Sequence, residues 1–210
     1  MLSNQQCFCG SDQRFSTCCQ PFIKREMNKK TSQLAFPETP EQLMRSRFSA
    51  YATGSSQYIY DTYAKSSQAS QSVKEIDEWS KACTWIALEI HSSSGNKGNS
   101  KAPTEQFVEF SAFYITDDTL CELRENSRFV LETVIFDGIV QNNTGDETNT
   151  QIDHQALQWR YIDGDIIEHC EISKVSRKAL CPCNNYPTAW SVKKGKKFKQ
   201  CCGKYRTRST

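Results

Sequence analysis

The first half of the chain places apolar residues at the spacing of α-helices. Thr39-Pro40-Glu41-Gln42 predicts a helix start, because Thr39 can cap the first turn, Pro40 suits the first helical position and Gln42 can close a capping box. Apolar residues then recur at helical spacing as far as Gly54, where we expect the helix to end. Two shorter apolar groups, at 58–63 and 73–83, predict a second and a third helix.

From Trp85 onward the spacing changes to that of β-strands. Residues 85–91 predict a first strand, 105–116 alternate and predict a second, and 120–132 predict its long partner across a turn at Asp117-Asp118. Residues 156–161 predict a fourth strand, which we expect to end in a turn at Asp163-Gly164. Helices followed by strands predict an α+β fold in which a bent antiparallel sheet packs on the helices. We expect its core to contain the large aromatic residues Trp79, Trp85, Phe107 and Trp159.

A length of 210 residues suits one ordinary domain with small appendages. We predict a central body over residues 39–173, a polar and basic linker over 24–38, and terminal modules over 1–23 and 174–210. The longest apolar runs fall far short of the roughly 18 residues of a membrane span. The first residues also lack the basic and apolar regions of a secretion signal, so we expect a cytoplasmic protein.

Eight of the eleven cysteines lie in two terminal clusters. Each cluster joins a Cys-x-Cys pair to a Cys-Cys pair: Cys7, Cys9, Cys18 and Cys19 near the start, and Cys181, Cys183, Cys201 and Cys202 near the end. In a reducing compartment, clustered thiols favour metal binding over disulfides. Four converging thiolates form a closed tetrahedral zinc site, so we predict about two Zn²⁺ per chain. Two alternatives stay open: disulfides between neighbouring cysteines, or an unordered tail whose thiols hold nothing.

The near-neutral formal charge of +2 conceals two basic ends around an acidic body. Residues 172–210 contain eleven Lys or Arg and no acid, whereas residues 37–171 contain ten bases and 22 acids.

The sequence of residues 7–19, with Cys-Phe-Cys-Gly-Ser first and Cys-Cys last, resembles the SEC-C motif, known from the zinc-binding tail of the translocation ATPase SecA. One such motif at each end of a small acidic body resembles the YchJ family. The stretches at 43–51, 125–130 and 159–164 resemble that family's central signatures in the same order: Leu-Met-Arg-Ser-Arg-Phe-Ser-Ala-Tyr, Glu-Asn-Ser-Arg-Phe-Val and Trp-Arg-Tyr-Ile-Asp-Gly. The resemblance implies a central domain similar to nuclear transport factor 2, a cone of helices against a bent sheet. It does not supply an activity.

The chain departs from the family's pattern in two places. Seventeen residues, 184–200, separate Cys183 from Cys201, and Asn184-Asn185 stand where the motif has Gly-Ser. A longer loop costs only slightly more entropy to close, so zinc binding at this end is still expected. The second departure is a polar insertion in the body around residues 142–150.

The basic C-terminal run contains Lys193, Lys194, Lys196, Lys197 and Lys199. Three interpretations compete: docking to a protein partner, as in the tail of SecA; binding of nucleic acid or a ribosome through phosphates; and simple solvation that offsets a Zn(Cys)₄ centre of charge −2. We favour docking on a metal-stabilised module.

Glu125 is the candidate for catalysis in the body. Period two places Glu125, Ser127 and Phe129 on one face of a strand. If that face lines a pocket, Glu125 is a candidate general acid or base, with Tyr58 or Tyr161 as a hydrogen-bond partner. Salt bridges with the neighbouring Arg124 and Arg128 on an exposed strand are the alternative. The sequence favours binding over catalysis, with a small-molecule enzyme as the rival.

Overall fold

The computed structural model describes residues 5–25, 35–94, 104–138, 152–191 and 195–204, and only the backbone of 135–138 and 152–155. Helices precede strands along the chain, as predicted for an α+β fold. The helices are α1 Gln20–Ile23, α2 Pro40–Thr53, α3 Ser56–Asp61, α4 Lys65–Gln68 and α5 Val73–Ala82; the strands are β1 Thr84–Ser93, β2 Glu105–Thr116, β3 Thr119–Gly138 and β4 Ile152–Lys174. Short 3₁₀ turns lie in the cysteine modules, at Phe15–Thr17, Pro182–Asn185, Phe198–Gln200 and Cys202–Lys204.

Helix α2 begins and ends where the sequence predicts. The Thr39 hydroxyl accepts a hydrogen bond from the Gln42 amide at 3.1 Å, and Pro40 occupies the first turn. Gly54 ends the helix at φ +68°, in the left-handed region that glycine adopts most easily. The carbonyl oxygen of the Gln42 side chain accepts from the Glu38 amide at 2.8 Å, one residue earlier than in a standard capping box.

The four strands form one antiparallel sheet in the order β1-β2-β3-β4. Val108 and Phe110 of β2 are buried, and Phe48 of α2 meets Trp85 of β1 edge to face at 5.5 Å. Phe113, on the opposite face of β2, is also buried, because it packs against Tyr186 of the C-terminal module at 4.2 Å. The sheet is therefore covered by helices on one face and partly by a cysteine module on the other.

The predicted turn at Asp163-Gly164 is wrong, because β4 runs through it. Arg128 pairs with Asp163 while Phe129 pairs with Tyr161, so one extra residue bulges from β4 at this point. Gly164 is required here for space: a Cβ atom at Gly164 would lie 2.1 Å from an oxygen of Glu125. The Asp-Gly pair thus permits a bulge and a close side-chain approach inside a long strand.

Two of the four predicted core aromatics are only partly buried. Trp85 and Trp159 are 5% and 8% exposed, as expected, but Trp79 and Phe107 are 37% and 39% exposed. Trp79 packs on the edges of Tyr51 and Trp85 at 5.0 Å, so one side of its ring still contacts the core. The predicted polar insertion at 142–150 lies outside the described residues.

The helices of the described ranges are all too short or too polar to cross a lipid bilayer.

Candidate metal centres

The four N-terminal cysteines converge as the sequence predicts. The sulfur atoms of Cys7, Cys9, Cys18 and Cys19 all lie within 4.8 Å of one another. The Cys9–Cys18 and Cys18–Cys19 sulfur distances are 3.6 and 3.7 Å. A tetrahedral zinc with Zn–S bonds of about 2.3 Å requires sulfur–sulfur separations of about 3.8 Å. A disulfide requires about 2.05 Å. The arrangement therefore fits a tetrahedral ion bound by four thiolates.

A short knuckle brings these sulfur atoms together. Gly10 turns the chain at φ +71°, and its amide donates to the Cys7 carbonyl at 3.2 Å. The turn Phe15–Thr17 returns the chain, with the Cys18 amide donating to the Phe15 carbonyl at 3.2 Å. The Ser11 hydroxyl lies 3.2 Å from the Cys18 sulfur. In the motif's Gly-Ser pair, the glycine therefore makes the turn and the serine contacts a metal ligand.

The C-terminal cluster has the same construction despite its insertion. All four sulfur atoms of Cys181, Cys183, Cys201 and Cys202 lie within 4.8 Å of one another, and Cys183–Cys201 and Cys201–Cys202 are 3.5 and 3.9 Å apart. The Asn184 amide donates to the Cys181 carbonyl, as Gly10 does to Cys7, and the Cys201 amide donates to the Phe198 carbonyl, as Cys18 does to Phe15.

Sequence reasoning missed one residue of this second site. The Ser191 hydroxyl lies 2.9 Å from the Cys201 sulfur, where Ser11 stands beside Cys18 in the first site. Ser191 lies inside the insertion, so linear alignment pairs Ser11 with Asn185 instead. Only the folded loop reveals the equivalence.

The pKa values of the clustered thiols differ from one another. Hydrogen bonding from Cys18 lowers the pKa of Cys7 and lowers that of Cys9 to about 7. Hydrogen bonding to Cys18, Cys7 and Cys9, followed by burial, raises the pKa of Cys19. In the second site, hydrogen bonding from Cys183 lowers the pKa of Cys181 to about 2. Burial and mutual repulsion oppose full ionisation of four adjacent thiols, and a divalent cation would offset both.

The other cysteines lie outside these sites. Burial raises the pKa of Cys83 to about 12, and burial is also the largest cause of the raised pKa values of Cys121 and Cys170. These thiols are held in the protonated form at neutral pH and are poor nucleophiles.

Both modules pack against the body. The Cys7 sulfur lies 3.6 Å from the Ser49 hydroxyl of α2, and Arg45 donates to the Cys9 carbonyl at 2.9 Å. In the C-terminal module, the Trp190 indole donates to the Trp85 carbonyl of β1 at 3.0 Å.

The modules also contact each other, although about 180 residues separate them in the chain. The rings of Phe8 and Trp190 lie 4.7 Å apart. A Cβ atom at Gly10 would lie 2.4 Å from the Thr188 carbonyl oxygen, so glycine is needed for this approach as well as for the turn. Thr188 and Trp190 both belong to the insertion in the second motif.

Glu125 is held by hydrogen bonds inside the body. Its Oε1 accepts from the Ser127 hydroxyl at 2.5 Å and from the Tyr161 hydroxyl at 3.0 Å, so one of the two predicted tyrosine partners is found. The other, Tyr58, bonds the Ser46 hydroxyl at 2.7 Å instead. Arg124 and Arg128 pair with Glu109 and Asp163, away from Glu125.

The described lysines of the basic run lie on the surface of the second module. Lys196, Lys197 and Lys199 are exposed, while Lys193 and Lys194 lie outside the described residues. The aromatic residues Trp190 and Phe198 are buried, with 8% and 2% exposure, and are not presented to solvent.

Fold and sites together define an α+β protein whose body carries two four-cysteine knuckles that also contact each other. The family model for the YchJ middle NTF2-like domain matches residues 39–164, and the SEC-C motif matches residues 4–21. The chain belongs to the YchJ family.

Relatives and solved structures agree with this assignment. A UPF0225 protein of Vibrio cholerae is 34% identical over 94% of this chain and 99% of its own length. A UPF0225 protein of Haemophilus influenzae is 31% identical over 96% and 94%. A crystal structure of a SEC-C motif containing protein from Psychrobacter arcticus has a TM-score of 0.58 and 26% identity, covering 97% of this chain and 98% of that one. The fold is also similar to the solution structure of a SEC-C motif containing protein from Rhodopseudomonas palustris, with a TM-score of 0.54 and 21% identity over 78% of this chain and 99% of that one.

Proposed function

We propose that this protein is a cytoplasmic zinc protein whose C-terminal module docks an acidic segment of a protein partner. Two sets of four cysteines at tetrahedral spacing support the zinc, because a four-thiolate tetrahedral site suits Zn²⁺ or an iron–sulfur centre, and a closed one is structural. When bound, the ion would hold the ends of a chain segment that is too short to build its own core. The cysteines would then act by fixing shape.

The observation that carries the docking proposal is a basic face on the second module. It consists of Arg177, Lys178, Lys196, Lys197, Lys199 and Lys204, all exposed. Backbone hydrogen bonds from Lys199 to Arg177 and from Cys181 to Lys196 join its two main segments side by side. No carboxylate of the described residues lies within 4.0 Å of these six cations. The face is therefore open to an acidic ligand.

An apolar residue within this face favours a protein partner. Leu180, which forms a β-bridge with Lys197, is 56% exposed among the cations. A protein segment with acidic and apolar side chains would match both features. Single-stranded nucleic acid is held by basic grooves with exposed aromatic rings, whereas Trp190 and Phe198 are buried here.

Partner capture with two matched double variants tests the proposal. Lys196→Gln/Lys199→Gln removes two charges from the basic face, and Lys74→Gln/Lys81→Gln removes two from the exposed side of α5. We expect only the first variant to lose the captured protein, with its metal content unchanged. Equal capture by both variants, or capture that nuclease abolishes, would refute docking. Fewer than about two zinc ions in the anaerobically purified chain would refute the zinc assignment separately.

A further inference from the structure

A cavity of about 260 Å³ lies at the rim of the body, beneath the N-terminal module. Its walls come from several parts of the chain: the end of α1, the segment before α2, α2 itself, residues 58–68 of α3 and α4, β3, and residues 158–160 of β4. Its volume is slightly below the roughly 300–1,000 Å³ of typical ligand pockets, so it suits a small metabolite.

Arg160 contributes a positive charge that forms no salt bridge within the described part of the chain. Its guanidinium donates to Oε1 of Gln158 at 2.9 Å, yet no carboxylate in the described part of the chain lies within 4.0 Å of it. Arg25, in the same cavity, pairs with Asp61 at 2.6 Å. Burial lowers the pKa of the Arg160 guanidinium by more than the nearby carboxylates Glu132 and Asp61 raise it. Among the described residues its one side-chain hydrogen bond is to Gln158, which leaves four of its five N–H groups for a ligand.

Gln158 presents a second donor without an acceptor. The side chain is 5% exposed, and its amide nitrogen has no hydrogen-bond partner among the described residues. Its orientation is fixed chemically, because rotating the amide would place two donors face to face at Arg160. A buried, unsatisfied donor is costly, and here it belongs to the same side-chain amide that Arg160 holds. The open N–H groups of Arg160 and Gln158 therefore lie side by side.

The remaining charges limit what kind of anion the cavity accepts. Asp61 bonds Arg25 and Gln57, and Glu132 accepts from the Lys65 backbone amide at 3.2 Å. These two carboxylates lie close enough to act on Arg160. They disfavour a dianion such as phosphate more than a monoanion.

The rest of the lining is largely aromatic. It includes Phe22, Phe36, Tyr58, Tyr63 and Trp159. A ligand with a flat ring would bury apolar surface among these residues and make edge-to-face or offset contacts with their rings. We propose that this cavity binds a small aromatic monocarboxylate, whose carboxylate takes the open donors of Arg160 and Gln158 while its ring packs on the aromatic lining.

This site is independent of the docking proposal, because no residue of the basic face lines the cavity. It also differs from the Glu125 pocket considered from the sequence, since Glu125 is absent from the lining.

Three probes distinguish the possibilities on the full-length protein with its bound metal. Benzoate carries the proposed charge and ring, benzamide the ring without the charge, and inorganic phosphate the charge without the ring. In ¹H–¹⁵N NMR titrations we expect benzoate to shift the Gln158 side-chain amide and the Trp159 indole signals saturably. Benzamide and phosphate should bind at least tenfold more weakly. Phosphate binding as tightly as benzoate, equal binding of benzamide, or no saturation by benzoate would overturn the assignment.

Variants locate the binding site. Arg160→Met should weaken benzoate about ten- to hundredfold, the range expected for loss of a charge-assisted contact. Arg160→Lys should fall between Arg160→Met and the unaltered protein, because it retains the charge but loses the planar fork. Gln158→Leu offers a second test if Arg160→Met unfolds. Arg177→Met, which removes an exposed arginine outside the cavity, is the control. Unchanged benzoate affinity in folded Arg160→Met or Gln158→Leu would refute the site.

Discussion

Replacing Trp190 with alanine should loosen the contact between the two cysteine modules while leaving every metal ligand in place. The Trp190 ring is 8% exposed, lies 4.7 Å from Phe8 and donates to the Trp85 carbonyl at 3.0 Å. It therefore connects one module to the other and to the first strand. Neither of these two contacts involves a cysteine sulfur, and Trp190 is not one of the metal ligands, so the two knuckles themselves should persist.

The size of the effect follows from this burial. Core Trp→Ala changes cost about 3 to 5 kcal/mol. We expect the lower end, about 3 kcal/mol, because the contact joins two small surface modules and lies outside the deepest core. At about 1.4 kcal/mol for each factor of ten, the undocked population should rise about a hundredfold.

Native-state hydrogen exchange measures that population directly. The Arg45 guanidinium, which donates to the Cys9 carbonyl between α2 and the first knuckle, should exchange up to about a hundredfold faster, whereas the Cys7 amide, which donates to Gln13 inside that knuckle, should not. Elemental analysis should still find the unaltered metal content. Trp79→Ala is the matched control, because Trp79 packs on Tyr51 and Trp85 and belongs to neither module. Unchanged exchange in Trp190→Ala, or equal acceleration in Trp79→Ala, would refute the reasoning.

Three further predictions concern the metal sites and the body. Cys9→Ser should lower the metal content by about one ion per chain, whereas Cys83→Ser should leave it unchanged; equal metal content in both, by elemental analysis, would contradict the site. Gly164→Ala should destabilise the fold by about 1 to 3 kcal/mol in urea unfolding, because its Cβ would meet Glu125. In a Glu125→Ala background, which already lacks the hydrogen bonds to Ser127 and Tyr161, the same change should cost much less, and an equal cost would show that the clash is not the cause. Burial raises the pKa of Tyr58 above its ordinary value, so the unfolded chain ionises first and stability falls as pH rises above about 10, by up to about 1.4 kcal/mol per pH unit. Tyr58→Phe should remove that share of the slope in unfolding curves, and an identical slope would contradict it.

Local patterns predicted most of the fold because they depend on neighbours in the chain. The capping residue Thr39 and the terminator Gly54 define α2 within a few residues of themselves. The strict alternation of 105–116 likewise predicts β2 with the bounds that the structure shows. The cysteine clusters were predictable for the same reason, since each Cys-x-Cys and Cys-Cys pair is a local feature.

Long-range contacts account for what the sequence did not predict. Asp163-Gly164 has the composition of a turn, but pairing with β3 and the space that Glu125 needs keep it in β4. The partial exposure of Trp79 depends on where α5 lies against the sheet, which periodicity along one helix does not specify. Ser191 was missed because its position beside Cys201 exists only after the insertion has folded.

The insertion by which the second motif departs from the family's pattern is the part that joins the two modules. The knuckle itself needs no such length, since the first motif brings its four sulfur atoms together with only eight residues between Cys9 and Cys18. The extra residues instead place Thr188 against Gly10, and Trp190 against both Phe8 and the first strand. Closing a longer loop costs little entropy, while burying an indole contributes several times that amount. Lengthening this motif therefore retains the metal geometry and adds a contact that holds the two ends of the chain together.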